Sequence, residues 1–185
     1  SRIEGLLRGL EQTHAIDLKP GDPTAIVQEV VRAMLPRAAA KHIVLEVLLP
    51  LSPALVALDL HWLPRVIDNL VSNAIKYSGQ GSTVSVTGEF DNGGFRLDVE
   101  DSGPGFAENE VESIFLPGVI GSAKPTAGEE QQGLGLWIAR QATRSMGGRL
   151  WVANTTSSGA KLSLWLPLWG SGPELPGPSK ADTGR

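Results

Sequence analysis

Apolar positions along the chain switch between two periods. Ile3, Leu6, Leu7 and Leu10 recur at spacings of three and four, so residues 1–14 are expected to be the last turns of an amphipathic helix. A short strand is expected at Ala15–Leu18. Asp22-Pro23 then supplies a cap and a first-turn proline, and Ile26, Val27, Val30, Val31, Met34 and Leu35 carry a helix forward. His42–Leu49 and Leu55–Asp59 read as strands. His61–Tyr77 returns to the helical period, with Leu63, Val66, Ile67, Leu70, Val71 and Ala74 on one broad face. Thr83–Phe90 alternates as a strand does, Asp91-Asn92-Gly93-Gly94 is a hairpin turn, and Phe95–Glu100 is the returning strand. Leu134–Met146 is a third helix. Arg149–Ala153 and Ala160–Leu166 form a last strand pair.

Between these elements, Ser102–Gln132 has little periodicity and many Gly, Pro, Ser and Glu residues. A stretch of that length inside a compact domain is expected to be functional or mobile. Residues 169–185 are rich in Pro, Gly and Ser and are expected to be a disordered tail. One domain is therefore expected at 15–168. Direct strand-to-strand joins predict a mixed, mostly antiparallel sheet, and three helices suffice to cover one of its faces. The fold class is α+β, a two-layer sandwich rather than a doubly wound sheet.

Composition narrows the function. The 185 residues contain no cysteine, which excludes disulfides, thiolate metal sites and a cysteine nucleophile. The three histidines, His14, His42 and His61, are too scattered for a histidine-rich metal site. Lys and Arg number 16 against 20 Asp and Glu, a net charge of −4, which argues against a duplex-binding protein. The most apolar region, 43–60, is interrupted by Glu46, Pro50, Ser52 and Pro53, so it predicts two strands and a turn instead of a membrane span. Ser1-Arg2-Ile3-Glu4-Gly5 is no secretory signal, and without an initiator methionine the chain is expected to be a fragment.

Three clusters carry candidate chemistry. On the 61–77 helix, Asn69, Asn73 and Lys76 share one stripe at the edge of the apolar face. Asparagine is a poor helix former. Two amide oxygens and an ammonium on one stripe suit a hydrated Mg²⁺ with phosphates, although an exposed polar face explains the stripe as well. Asp101-Ser102-Gly103-Pro104-Gly105 follows a strand directly; its carboxylate can accept a bond from an exocyclic amine such as that of adenine, and its glycines permit close approach. A plain turn would use the same residues. Gly133-Leu134-Gly135-Leu136 opens a helix whose free N–H groups can face an anion. A dinucleotide-binding fingerprint does not fit there, because Trp137-Ile138 replaces the third glycine and no strand precedes.

Taken in order, these clusters resemble the GHKL ATP-binding (Bergerat) fold, and specifically the catalytic domain of sensor histidine kinases. Asn69-Leu70-Val71-Ser72-Asn73-Ala74-Ile75-Lys76-Tyr77-Ser78 is similar to the N box, Asp101–Gly105 to the first glycine box, Ile114-Phe115-Leu116-Pro117 to the F box, and Gly133–Leu136 to the second glycine box. Gly147-Gly148-Arg149-Leu150, Gly159-Ala160 and Leu166-Pro167 resemble the closing strands, so the likeness runs from Ala15 to Leu168. The family's usual glycine two before Gly133 is Gln131 here, and Gly118 stands where an aromatic often follows the F box.

The resemblance implies ATP and Mg²⁺ as cofactors. Asn73 would bind Mg²⁺ with Asn69 beside it, Lys76 would neutralise phosphate, and Tyr77 would stack near adenine. Asp101 would read the adenine amine, with Gly103 and Gly105 shaping its pocket. Residues 104–132 would be the ATP lid, Lys124 its cation, and Gly133, Leu134, Gly135 and Leu136 its hinge and phosphate cradle. Related gyrase-like, mismatch-repair and chaperone ATPases carry Glu where Asn69 stands, and a neutral amide is no general base. The resemblance therefore implies phosphoryl transfer to a histidine rather than hydrolysis. None of the three histidines sits in the family's acceptor motif, so the acceptor is expected on a dimerisation domain of the same parent protein, with a response regulator downstream. Neither nucleic acid nor direct membrane contact is expected, and the fragment is expected to be a cytoplasmic domain. Two alternatives stay open: a GHKL nucleotide-binding regulatory module with weak catalysis, and an anti-sigma-type serine kinase, which the helix expected at 1–14 disfavours.

Overall fold

The computed structural model describes residues 15–52, 54–91, 93–126, 133–154 and 159–170. The elements run β1 (Lys19–Gly21), α1 (Pro23–Ala40), β2 (Val44–Leu48), β3 (Val56–Leu58), α2 (Trp62–Tyr77), β4 (Thr83–Asp91), β5 (Gly94–Glu100), α3 (Gly135–Ser145), β6 (Arg149–Val152) and β7 (Lys161–Pro167). Two 3₁₀ turns, Glu108–Glu110 and Ser113–Phe115, lie between β5 and α3. The expected helix over 1–14 and the tail beyond residue 170 fall outside the described residues.

A five-stranded sheet has the order β2-β4-β5-β7-β6. Every pair in it is antiparallel except β2–β4, which is parallel, with Val44 opposite Thr83 and Leu48 opposite Thr87. β1 and β3 form a separate antiparallel pair. The strand expected at 15–18 therefore starts later, at Lys19. The expected neighbours β2 and β3 lie in different sheets, because α1 returns the chain to the far edge beside β4.

Helices α1, α2 and α3 form one layer, with α2 in the middle touching both others. The apolar face read from α2 is the centre of the core: Leu63, Val66, Ile67, Leu70, Val71 and Ala74 are all buried, and Ile75 is buried with them. They meet Val84 and Val86 of β4, Leu97 and Val99 of β5, and Leu162, Leu164 and Leu166 of β7. Strand alternation puts the intervening side chains on the other face. There Ser163 donates to Asp98 (2.6 Å), Arg96 pairs with the same carboxylate, and the Arg96 and Arg149 guanidinium groups lie over the Trp151 ring. α1 opens on the Asp22 carboxylate, which accepts the Thr24 N–H, and runs through Pro36. It ends at Lys41, followed by His42 at φ 54°, the sole non-glycine with positive φ among the described residues.

Asp59 ties three elements together. It is 4% exposed. One carboxylate oxygen accepts the His61 and Trp62 N–H groups at 2.8 and 3.0 Å and so caps α2, whose His61 has no side-chain cap of its own. The other accepts the Asp17 N–H at 2.8 Å, and the Asp59 N–H donates to the Met146 sulfur at the end of α3. These contacts fix the start of the helix that carries Asn69, Asn73 and Lys76.

Candidate active site

A cavity of about 540 Å³ opens between α2, the β5 end, the 104–123 segment and the start of α3. That size suits a drug- or nucleotide-sized ligand. Asn69, Asn73, Lys76, Tyr77, Asp101, Gly105, Gly133, Leu134, Gly135 and Leu136 all line it. The structure therefore brings together three clusters that lie up to 67 positions apart, from Asn69 to Leu136. Two expected residues are not among the lining. Gly103 stands behind Asp101 and donates its N–H to the carboxylate at 2.7 Å, so it orients the acid instead of facing the cavity. Lys124 is exposed, while its neighbour Ala123 lines the wall.

Asp101 follows β5 directly and lines the cavity. The sheet register carries it there: its N–H donates to Ala160 O at 2.9 Å, just before β7 begins. Burial pushes its carboxyl above the ordinary aspartate range, and Glu100 nearby adds to that. The Gly103 and Ala160 N–H groups pull the other way and keep a share of the charge stabilised. Gly159 is required beside it, because a Cβ there would drive into the Asp101 carbonyl. An acid held like this, next to apolar Val99, Ile114 and Leu162, can accept a bond from a planar base.

On the opposite side, α3 begins with Leu134 at its cap position and no side-chain cap. The first intrahelical bond runs from Ile138 N to Leu134 O, so the N–H groups of Gly135, Leu136 and Trp137 start the helix without an intrahelical partner. Asn69 sits against this turn. Its amide NH₂ donates to Arg65 O at 2.9 Å, and its oxygen lies so close to Gly135 that a Cβ there would come within 2.6 Å of it. Asn73 and Lys76 continue the stripe one turn on. The Lys76 ammonium lies 5.7 Å from the centre of the Tyr77 ring.

The donor set fits a nucleotide with a hydrated cation. Among the described residues there is no group of three or more His, Cys, Asp or Glu that could hold a metal by itself. A cation here would be held by amide oxygens together with phosphate oxygens and water, as Mg²⁺ accepts. Of the histidines, His42 and His61 lie outside the cavity lining, and His14 lies outside the described residues.

The segment expected to be structureless is held at several points over its described part. Phe115 and Ile114 are buried in the core, and Arg140 lies over the Phe115 ring while bonding Glu112. Gly118 N donates to Gly133 O, which closes the base of the loop. The Glu110 carboxylate accepts the Ser122 N–H and hydroxyl at 2.8 and 3.0 Å. Residues 127–132, including Gln131, fall outside the described residues.

Sequence reasoning missed the apolar half of the site. Phe106, Val119, Ile120, Ala160 and Leu162 line the cavity too, yet no polar signal marks them. Asp59 was also missed, though an Asp two positions before a helical period is a capping signal.

Comparison with known proteins agrees with this geometry. Residues 58–170 match the family described as histidine kinase-, DNA gyrase B- and HSP90-like ATPases. The sensor protein PfeS of Pseudomonas aeruginosa is 44% identical over 112 residues, covering 60% of this chain and 24% of that protein. Sensor histidine kinase ZraS of Escherichia coli O157:H7 is 37% identical over 106 residues, covering 57% and 22%. The chain thus spans about a quarter of the length of these curated relatives. Among solved structures, the mycobacterial sensor histidine kinase MprB superposes with a TM-score of 0.71 at 28% identity, covering 82% of this chain and 98% of that one. The catalytic domain of histidine kinase ThkA superposes with a TM-score of 0.72 at 25% identity, covering 83% and 97%. With four boxes gathered round one cavity and a family match over most of the folded residues, the chain belongs to the histidine kinase-, DNA gyrase B- and HSP90-like ATPases, and its relatives include sensor histidine kinases.

Proposed function

We propose that this domain binds Mg²⁺-ATP and delivers the γ-phosphoryl group to a histidine on a dimerisation domain of its own parent protein, from which a response regulator is then phosphorylated. One observation carries the reading: a half-buried carboxylate and an uncapped helix N-terminus face one cavity from opposite ends, with Asn73 and Lys76 between them. Asp101 accepts a bond from the adenine amine and Tyr77 packs beside the base. Lys76 and the α3 N–H groups hold the phosphates, and Asn73, with Asn69 adjacent, supplies oxygen to Mg²⁺. Bound Mg²⁺ offsets the charge that develops on the transferring group.

The chain's own part is positioning and electrostatics. Asn69 stands where a hydrolytic relative has Glu, and its amide is engaged with Arg65 O, so it does not take a proton from water. The nucleophile must then come from outside the cavity, as an imidazole on another domain. The deciding assay mixes the protein with γ-labelled ATP, Mg²⁺ and the parent's dimerisation domain. Label is expected on that domain's histidine, and none on a His→Gln variant of it. Label that stays in ATP despite measured binding would favour a nucleotide-binding regulatory module.

A further inference from the structure

Lys41 lies in none of the nucleotide-binding boxes, yet its side chain reaches the end of the nucleotide helix. It follows α1, and its backbone is fixed there: its N–H donates to Ala38 O and its carbonyl accepts the Gly81 N–H. From that point the ammonium donates to Ile75 O at 3.0 Å and Lys76 O at 3.1 Å. These are carbonyls of the last turn of α2, which lack intrahelical partners and form the negative end of the helix dipole. A third bond, at 2.7 Å, goes to the hydroxyl of Thr126. Three donors thus meet three acceptors on two separate segments.

Thr126 belongs to the segment that covers the cavity, three residues after the lining residue Ala123. Its N–H donates to Lys76 O at 3.1 Å. Its hydroxyl accepts from Lys41 and has its own hydrogen for Ser78 O at 2.9 Å or Lys76 O at 3.1 Å. Lys76, whose carbonyl is one of those capped, and the following Tyr77 line the cavity.

We propose that Lys41 is a positioning residue for nucleotide binding, acting through Thr126 to hold the lid's descending limb against the end of α2. The inference rests on the nucleotide-site reading above. Gly121 and Ala123 of the cavity wall lie just before Thr126, and the Lys41 ammonium, outside the cavity lining, adds the one charged bond to those that hold Thr126 against α2. Because the same ammonium caps α2, lid position and the placement of Lys76 are linked.

Three variants test this: Lys41→Met, which keeps the stem and removes the charge; Thr126→Val, which keeps the exposed site's shape and leaves the cap of α2 in place; and their combination. Amide hydrogen exchange across 119–126 is followed without nucleotide, and ATP affinity is measured with Mg²⁺. Faster exchange at Thr126 is expected in both single variants, with ATP bound about threefold to tenfold more weakly, the range of one ordinary hydrogen bond at a solvent-exposed residue. The double variant is expected to lose less than the sum of the two single losses, since both variants break the Lys41–Thr126 link. Lys41→Arg is expected to recover part of the protection. Unchanged exchange at Thr126 in Lys41→Met, or fully additive losses, would overturn the proposal. Should Lys41→Met fail to fold, Thr126→Val decides: wild-type exchange and wild-type affinity there would overturn it equally. A wild-type protein that binds no ATP, with exchange still coupled between positions 41 and 126, would instead defeat the nucleotide reading and leave the Lys41–Thr126 link standing.

Discussion

Asp101 serves two opposed demands. Burial raises its carboxyl above the ordinary range, so its charge weakens the fold, while in the proposed role a base amine would need that charge as acceptor. Asp101→Asn keeps an oxygen for Gly103 and Ala160 but removes the charge. ATP and ADP affinity are expected to fall alike, by about 1–3 kcal/mol, and discrimination against GTP should shrink, while the melting temperature holds or rises. Titration calorimetry with both nucleotides and a melting scan check this; a loss confined to ATP would put the residue near the γ-phosphate instead. The pH dependence follows from the same shift. A carboxyl with a raised folded-state pKa takes up its proton first in the folded state, so its unfavourable charge is relieved as pH falls through that value. ATP affinity should decline over that same acidic interval, and Asp101→Asn should flatten the decline. Asn73→Ala is expected to abolish the Mg²⁺-dependent part of ATP affinity while changing stability by roughly 0.5 kcal/mol, since the side chain points from the core into the cavity. Equal binding by variant and wild type would remove Asn73 from the site. Gly135→Ala sets a methyl 2.6 Å from the Asn69 oxygen. Nucleotide affinity is expected to drop because the start of α3, which lines the cavity, must shift away from Asn69.

At the scale of the element, α2 holds the site because Asp59 holds α2. Removing that carboxylate leaves the N–H groups of Asp17, His61 and Trp62 without their acceptor. Asp59→Ala is therefore expected to destabilise the domain by about 1–3 kcal/mol, read as a lower midpoint in urea. Burial would raise the Asp59 carboxyl, but the three backbone donors and His61 outweigh it and the net shift is downward. Its contribution is thus present above the ordinary aspartate range and is lost as pH falls through the lowered value. An acid-unfolding midpoint that did not move in Asp59→Asn would count against this account. α2 was the most legible element: six apolar positions at helical spacing marked Leu63 to Ala74, and the helix observed at Trp62–Tyr77 differs by one residue. The hairpin turn at 91–94 was equally plain, since Asn-Gly between two alternating runs supplies the positive φ that tight hairpins need, and β4 pairs antiparallel with β5 from Asp91 and Gly94. The parallel partnership of β2 with β4 was not legible. Val44 and Leu48 meet Thr83 and Thr87 some 39 positions away, and no local period encodes so distant a register. β2 also carries exposed Val44, Val47 and Leu48 at the sheet edge, so its apolar run hid the alternation that would have given its face. The polar half of the site could be read because Asn, Lys, Asp and Gly are conspicuous in a helix or after a strand. The apolar half looks like ordinary core, and Lys41 looks like any helix-ending cation.

For the molecule as a whole, binding and turnover separate. The protein alone is expected to bind ATP yet neither label itself nor release phosphate at a useful rate, because positioning without a nucleophile gives little acceleration. Adding the parent's dimerisation domain should start transfer. Steady phosphate release by the chain alone, abolished in Asn69→Ala, would mean an ATPase and overturn the kinase reading. The small β1–β3 pair has a further consequence. Val56 of β3 faces Gly21 on one side and Leu168 on the other, and Trp169 N donates to Leu55 O. Two strand spacings, about 10 Å, therefore separate the first strand from the end of the last. A short linker from residue 170 back to residue 15 should close the chain into a ring, and new ends opened at the exposed turn beside Gly93 should leave the cavity intact on the far side of the sheet. The first strand and the end of the last thus lie almost side by side, so insertion of the domain into a loop of a host protein is expected to leave the cavity unobstructed.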